Sequence, residues 1–100
     1  MIYRVEVASG VSDYLRGLEG ITREGRLALH GFMDALRDYG DEAREACPRQ
    51  SPGSPVFLLR WTFDAGPAIR SLDLFVDDSE AADGLLQVLF ADIVPLPGEG

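Results

Sequence analysis

The chain contains no lysine, a single cysteine and a single histidine, and it has no long uninterrupted apolar run. One cysteine, Cys47, excludes both an internal disulfide and a metal site built from several thiolates. Because no candidate base lies near it in sequence, Cys47 is interpreted as an incidental loop thiol. No apolar segment reaches the length of a membrane span, and the N-terminus lacks a secretory signal pattern. We therefore expect a cytoplasmic protein that does not contact a membrane.

Positive charge is scarce and comes only from arginine. The sequence has nine arginines and seventeen acidic residues, which gives a net charge of −8. The imbalance is concentrated in residues 56–100, where eight acids accompany only Arg60 and Arg70. Negative charge at this density repels phosphate backbones, so a broad nucleic-acid surface is not expected.

Alternating apolar residues predict the strands of one sheet. A first strand is expected over residues 2–7. Three more, over 56–63, 69–76 and 85–91, are expected to form an antiparallel meander and to complete a four-strand antiparallel sheet. Residues 85–91 also fit a helical pattern, and the order of the preceding elements favours the strand. The expected core face carries Phe57, Leu59, Trp61, Phe63, Leu72, Leu74 and Val76.

Two helices are predicted between the first and second strands. Val11, Tyr14, Leu15 and Leu18 share one side of a short helix, with Ser9 or Ser12 as its cap and Gly20 beyond its end.

The second helix is predicted to begin after Thr22, its N-cap, and to end at Gly40, with a continuation over 41–46 left open. Its apolar side consists of Gly25, Leu29, Phe32, Met33, Leu36 and Tyr39. A short link makes the pair an αα-hairpin that covers one face of the sheet. The expected fold is thus α+β, in one domain over residues 1–94, with a flexible tail at 95–100.

Four segments carry a resemblance to a known family. They are residues 14–18 with 22–24 at the entry to the helical hairpin, 52–61 before and within an aromatic-x-x-Arg strand, 69–78 in a strand that ends in acids, and 86–92 in the last strand. Over residues 2–93 the chain resembles the RelE/ParE toxin superfamily of bacterial toxin–antitoxin systems. That resemblance implies the order strand, helical hairpin and three antiparallel strands. It also implies a protein partner, either an antitoxin-like protein or a target enzyme.

The residues that would carry nuclease chemistry in this family are largely missing. Its ribonucleases place several Lys and Arg side chains on the sheet, against the scissile phosphate. This chain keeps only Arg60 and Arg70 there, and Ala91 and Asp92 replace a basic terminal stretch. Since one preorganised donor contributes about 2.7–4 kcal/mol to transition-state stabilisation, we expect no nuclease activity. The alternatives are an active toxin, either an mRNA interferase or a gyrase inhibitor, and an acidic interaction protein of an unrelated α+β fold.

Arg60, Trp61 and Arg70 are the candidate binding residues. If the protein is an active toxin, its chemistry would depend on Arg60 and Arg70. No catalytic residue, cofactor or metal is assigned. The acidic cluster Asp77, Asp78, Glu80 and Asp83 lacks the spacing of a calcium loop.

Each candidate residue also has a purely structural interpretation. Arg60 is suited to pair with Asp73 on the next strand, Trp61 suits the core, and His30 suits a solvated helix surface. Apolar residues on both faces of the sheet predict a protein interface, with a partner or in a homodimer.

Overall fold

The computed structural model describes residues 2–17, 22–64 and 69–95, which fold as two helices and a four-strand sheet. The elements in chain order are β1 (Arg4–Val7), α1 (Ser9–Arg16), α2 (Arg23–Ala46), β2 (Val56–Asp64), β3 (Ile69–Asp77) and β4 (Leu85–Pro95). The α+β class expected from the sequence is confirmed. The predicted residue Gly20, the centre of the predicted turn after residue 64, and residues 96–100 of the predicted tail lie outside the described residues.

The sheet is mixed, with the strand order β1-β4-β3-β2. β2 pairs antiparallel with β3, and β3 pairs antiparallel with β4, but β1 runs parallel to β4. The prediction of a wholly antiparallel sheet is therefore wrong. The reason is that the helices carry the chain from β1 to the far edge of the sheet, and a helical crossover delivers β2 there in the direction of β1.

The segment that fitted both a strand and a helix is a strand. β4 pairs with β3 along its length, which confirms the predicted strand over 85–91 and its antiparallel register. Only a single 3-10 turn, Ala81–Asp83, precedes it. Gly84 ends that turn with a φ of 79°, a left-handed conformation that glycine adopts without steric cost. The predicted helical pattern is therefore interrupted at Gly84, before its leucines begin.

α1 begins without the side-chain cap that the sequence predicted. Its N-cap residue is Ala8, which makes no side-chain capping bond, so the assignment of Ser9 or Ser12 as the cap is wrong. The helix ends at Arg16, and the N–H of Gly17 donates to the carbonyls of Asp13 and Tyr14. α1 packs chiefly on β4, where it adds the buried Val11 to the core.

α2 begins where the sequence placed it but ends later. The Thr22 hydroxyl accepts a 3.0 Å hydrogen bond from the N–H of Gly25, which confirms Thr22 as the N-cap. The helix then passes Gly40 and ends at Ala46, with non-helical angles at Tyr39. Gly40 is therefore not the residue that ends the helix. It allows a close approach, because a Cβ there would lie 2.5 Å from Cδ2 of Tyr3.

One apolar core lies between the helices and the face of the sheet that they cover, here called the inner face. The side chains of β2 and β3 alternate between the two faces of the sheet. Of the residues predicted for the core face, Phe57, Leu72, Leu74 and Val76 are completely buried on the inner face. From the helices, Leu29, Phe32 and Leu36 are buried, whereas the predicted core members Met33 and Tyr39 are 38% and 65% exposed. The opposite face of the sheet is called the outer face below.

Candidate functional site

Arg60 lies on the outer face and is held by a carboxylate of the neighbouring strand. It stands directly opposite Asp73 in the β2–β3 register. Its Nε and Nη2 atoms donate to the two carboxylate oxygens of Asp73 at 2.8 and 3.0 Å. This bidentate pair confirms the structural interpretation of Arg60. The hydrogen bonds to Asp73 also raise the pKa of the Arg60 guanidinium above its ordinary value, so Arg60 is charged at all physiological pH values.

Trp61 and Arg70 belong to the inner face and do not join Arg60 in one site. Trp61 is half-buried against the core, and a Cβ added to Gly31 of α2 would lie 3.5 Å from its indole ring. Arg70 stands opposite Phe63, two residues along β2 from Trp61 and therefore on the same face. The three predicted binding residues are consequently divided between the two faces of the sheet.

The outer face carries an apolar cluster that we call the outer patch, made of Leu58, Phe75 and Phe90. These three residues lie side by side on β2, β3 and β4. The rings of Phe75 and Phe90 are 5.7 Å apart in a tilted arrangement, and Phe90 is 56% exposed. Ser71, further along the same face, is buried, whereas Thr62, opposite it on β2, is exposed. Two residues further along each strand, on the same face, lie Arg60, Asp73 and the exposed Asp92.

A second charged cluster joins α2 to β1 and to the end of β3. The Tyr3 hydroxyl donates to Asp41 and accepts a 3.0 Å hydrogen bond from Arg44. Arg44 also donates to Asp78 at 3.0 Å, and Arg49 approaches the same carboxylate at 2.8 Å. Sequence reasoning missed this cluster. Its only local signal is the spacing of Asp41 and Arg44, three residues apart on one side of a helix.

The electrostatics of this cluster suit a structural role. Burial raises the pKa of Asp78, but the hydrogen bonds from Arg44 and Arg49 outweigh burial and hold that pKa below its ordinary value. The hydrogen bond to Asp41, together with burial, raises the pKa of Tyr3. Tyr3 therefore stays protonated and Asp78 ionised at neutral pH. Each group is fixed in its ordinary charge state, which favours anchoring over proton transfer.

A cavity of about 460 Å³ lies between α1 and α2. Its apolar wall includes Leu15, Leu29 and Phe32, and its polar rim includes Arg16 and His30. His30 is exposed, as expected for a solvated surface residue. An exposed imidazole on a helix surface gives no reason to assign acid–base chemistry here.

The remaining reactive side chains give no catalytic arrangement. Burial raises the pKa of the Cys47 thiol, which keeps it in the weakly nucleophilic protonated form. Asp78 is engaged by Arg44 and Arg49, and Asp77 accepts a hydrogen bond from the Ser79 N–H at 2.8 Å. In the part of the chain that the structure describes, no group of three or more His, Cys, Asp or Glu side chains is placed to hold a metal ion.

Comparisons with other proteins add no family to this description. The chain matches no family model, no curated protein and no solved structure. Neither described helix has both the length and the apolar character needed to cross a bilayer. The case for a function therefore depends on the outer patch and on the fixed charges beside it.

Proposed function

We propose that this chain is a RelE/ParE-like module of the toxin–antitoxin type, which acts by binding another protein and has no nuclease activity. The element order, one strand, two helices and then three strands, is the order that the resemblance implies. Under this proposal the two helices form the hairpin of that family. Their connection over residues 18–21 lies outside the described part of the chain.

The exposed outer patch is the observation that carries the proposal. Phe90 is more than half exposed although its ring packs against Phe75 in a tilted arrangement, and Leu58 extends the apolar surface to a third strand. Aromatic side chains of this kind lose little conformational entropy on binding and contribute strongly to interfaces. Charged residues flank the patch, so that an apolar centre has a polar rim, as in protein interfaces. The predicted homodimer is the competing occupant of this surface.

The placement of the arginines argues against nuclease chemistry. A phosphate that approached Arg60 would meet the Asp73 carboxylate, which offsets the positive charge of the guanidinium and occupies two of its five N–H donors. Arg70 points to the inner face, so the two cations do not converge on one phosphate from the same side of the sheet. Without converging cations there is no preorganised stabilisation of a developing phosphate charge. The alternative of an active toxin that uses both arginines therefore has no geometric support.

Photo-crosslinking tests the binding function. A photoreactive phenylalanine analogue is placed at position 90 and, as a control, at position 27, where Leu27 is 65% exposed on α2. In the source cells we expect position 90, and not position 27, to crosslink one defined protein. With that protein purified, Phe90→Asp should weaken the complex about tenfold or more. Equal crosslinking from both positions, or an unchanged affinity of Phe90→Asp, would contradict the proposal.

An RNA-cleavage assay tests the absence of nuclease activity. Purified protein is incubated with free RNA and with translating ribosomes, and no cleavage above a buffer control is expected. Asp73→Asn serves as a second variant, because it removes the negative charge that holds Arg60. We expect this variant to be inactive as well. Cleavage by the unmodified protein that Arg60→Ala or Arg70→Ala abolishes would refute the proposal.

A further inference from the structure

Seven of the eleven residues of β4 have no neighbouring strand on one side among the described strands. β1 has only four residues, and it pairs with Leu85–Val88. β4 continues to Pro95, so among the described strands none lies beside residues 89–95 on the side opposite β3. The pairing with β1 stops where a register shift makes Leu89 an extra residue in β4. An edge of this kind presents backbone N–H and C=O groups that another strand can pair with.

The space beside this edge is a groove with apolar walls. A cavity of about 400 Å³ lies between the first turns of α1 and residues 89–92 of β4. Tyr14, Leu89 and Phe90 line it and are 42%, 46% and 56% exposed. Phe90 also belongs to the outer patch, so the groove and the patch form one continuous surface. An extended segment beside β4 would cover the apolar side chains while it paired with the backbone.

The other edge of the sheet is better protected. Along the edge of β2 that faces away from β3, the N–H of Leu58 donates to the carbonyl of Pro48, and the N–H of Gln50 donates to the carbonyl of Val56. Arg49 forms a bridge with Phe57 and lies over its ring. The β4 edge is therefore the better site for an added strand.

The charge at the centre of the β4 edge decides which strand fits. Asp92 is exposed and is the middle residue of the segment 89–95. If two copies paired antiparallel along this whole segment, their two-fold symmetry would put Asp92 opposite Asp92. Like charges directly opposite each other destabilise a strand pair, and two chains of net charge −8 also repel each other. A segment with a basic residue at that position would instead gain an opposite-charge pair.

We infer that residues 89–95 accept, as a fifth strand, an extended basic segment of another protein whose Lys or Arg faces Asp92. This inference rests on the proposed protein-binding function and specifies its mode. The added strand would pair with the β4 backbone and place apolar side chains against Tyr14 and Phe90. Its specificity would come from the charge opposite Asp92, which also disfavours a second copy of this chain as the partner.

The test uses two synthetic nine-residue peptides of alternating threonine and valine, one with arginine at its centre and one with glutamate. Amide hydrogen exchange and NMR shifts of the full chain are recorded with each peptide. We expect the arginine peptide to protect amides within residues 89–95 and to bind about two- to fivefold more tightly than the glutamate peptide. Asp92→Lys should reverse that order of affinity, and Asp92→Asn should reduce the difference.

Several outcomes would overturn the inference. These are no protection of residues 89–95 by either peptide, protection of residues 59–64 of β2 instead, or the same peptide preference in Asp92→Lys. A dimer seen by sedimentation and tightened by Asp92→Asn would identify a second copy as the occupant. If position 90 crosslinks a defined protein while the arginine peptide fails to protect 89–95, strand addition is refuted and the proposed function stands. If the crosslinking fails as well, both are refuted.

Discussion

Gly40 allows a quantitative test of how α2 is seated on the sheet. A Cβ at this position would lie 2.5 and 2.8 Å from two ring carbons of Tyr3 and 3.0 Å from Cδ1 of Leu86. Ordinary contacts of a Cβ atom begin at 3.4 Å, so the Tyr3 ring would have to move by about 1 Å. The ring is 2% exposed, and its hydroxyl is held by Asp41 and Arg44. It therefore has little freedom to move.

Two opposing effects set the expected magnitude for Gly40→Ala. Overpacking a filled core costs about 1–3 kcal/mol. Replacing glycine by alanine within a helix recovers at most about 1 kcal/mol, and the irregular angles at Tyr39 reduce that gain. We expect Gly40→Ala to lower the free energy of unfolding by about 1–2 kcal/mol. In a domain of this size each kcal/mol corresponds to a change in Tm of about 4–8 °C.

Gly31→Ala is the matched control, with the same substitution in the same helix. Its Cβ would lie 3.5 Å from Trp61, an ordinary contact, so only the gain in helix propensity remains. This variant should be more stable than the unmodified chain by up to about 1 kcal/mol. Urea denaturation followed by circular dichroism measures both variants. In a Tyr3→Ala background the penalty of Gly40→Ala should become smaller, because only the 3.0 Å approach to Leu86 remains. Equal stabilisation by both alanines in the unmodified background would refute the packing argument.

Two further predictions concern single titratable groups. Asp78→Asn should lower the free energy of unfolding at pH 7 by about 1–3 kcal/mol, because the hydrogen bonds from Arg44 and Arg49 lose their charged acceptor. Since the pKa of Asp78 is lowered in the folded chain, its contribution is full above about pH 4 and is lost as the pH falls through the folded-state pKa. Urea titrations at several pH values should show the difference from Asp78→Asn shrinking in that range, and a constant difference would contradict the assignment. Because burial raises the pKa of Cys47, iodoacetamide should label it more slowly at pH 7.5 than it labels free cysteine. Labelling at the same rate would show an accessible, ionised thiol.

The strands were predictable because their signal is local. Side chains alternate between the faces of a strand, so Phe57 and Leu74 could be assigned to the core from spacing alone, and both are buried. The same logic placed Arg60 and Asp73 opposite each other once their strands were paired. Thr22 was predictable for a similar reason, since a cap bonds to the first turn of its own helix.

The errors arose where distant parts of the chain meet. Glycine commonly follows a helix end, yet Gly40 is required by the ring of Tyr3, which lies far away in sequence. The direction of β1 depends on where the crossover ends, which no local pattern records. The cluster of Tyr3, Arg44 and Asp78 joins three separate elements. Long-range contacts of this kind override local propensity.

The division of Arg60 and Arg70 between two faces bears most directly on function. In sequence they are the only cations of residues 56–100, and the active-toxin hypothesis needs them together. Alternation turns them to opposite faces, and Asp73, only 13% exposed, accepts hydrogen bonds from Arg60 with both of its oxygens and offsets its charge. The charge left exposed beside the outer patch is then the negative charge of Asp92. An apolar surface next to a satisfied ion pair and an exposed carboxylate repels phosphate and favours a partner that brings apolar and basic side chains.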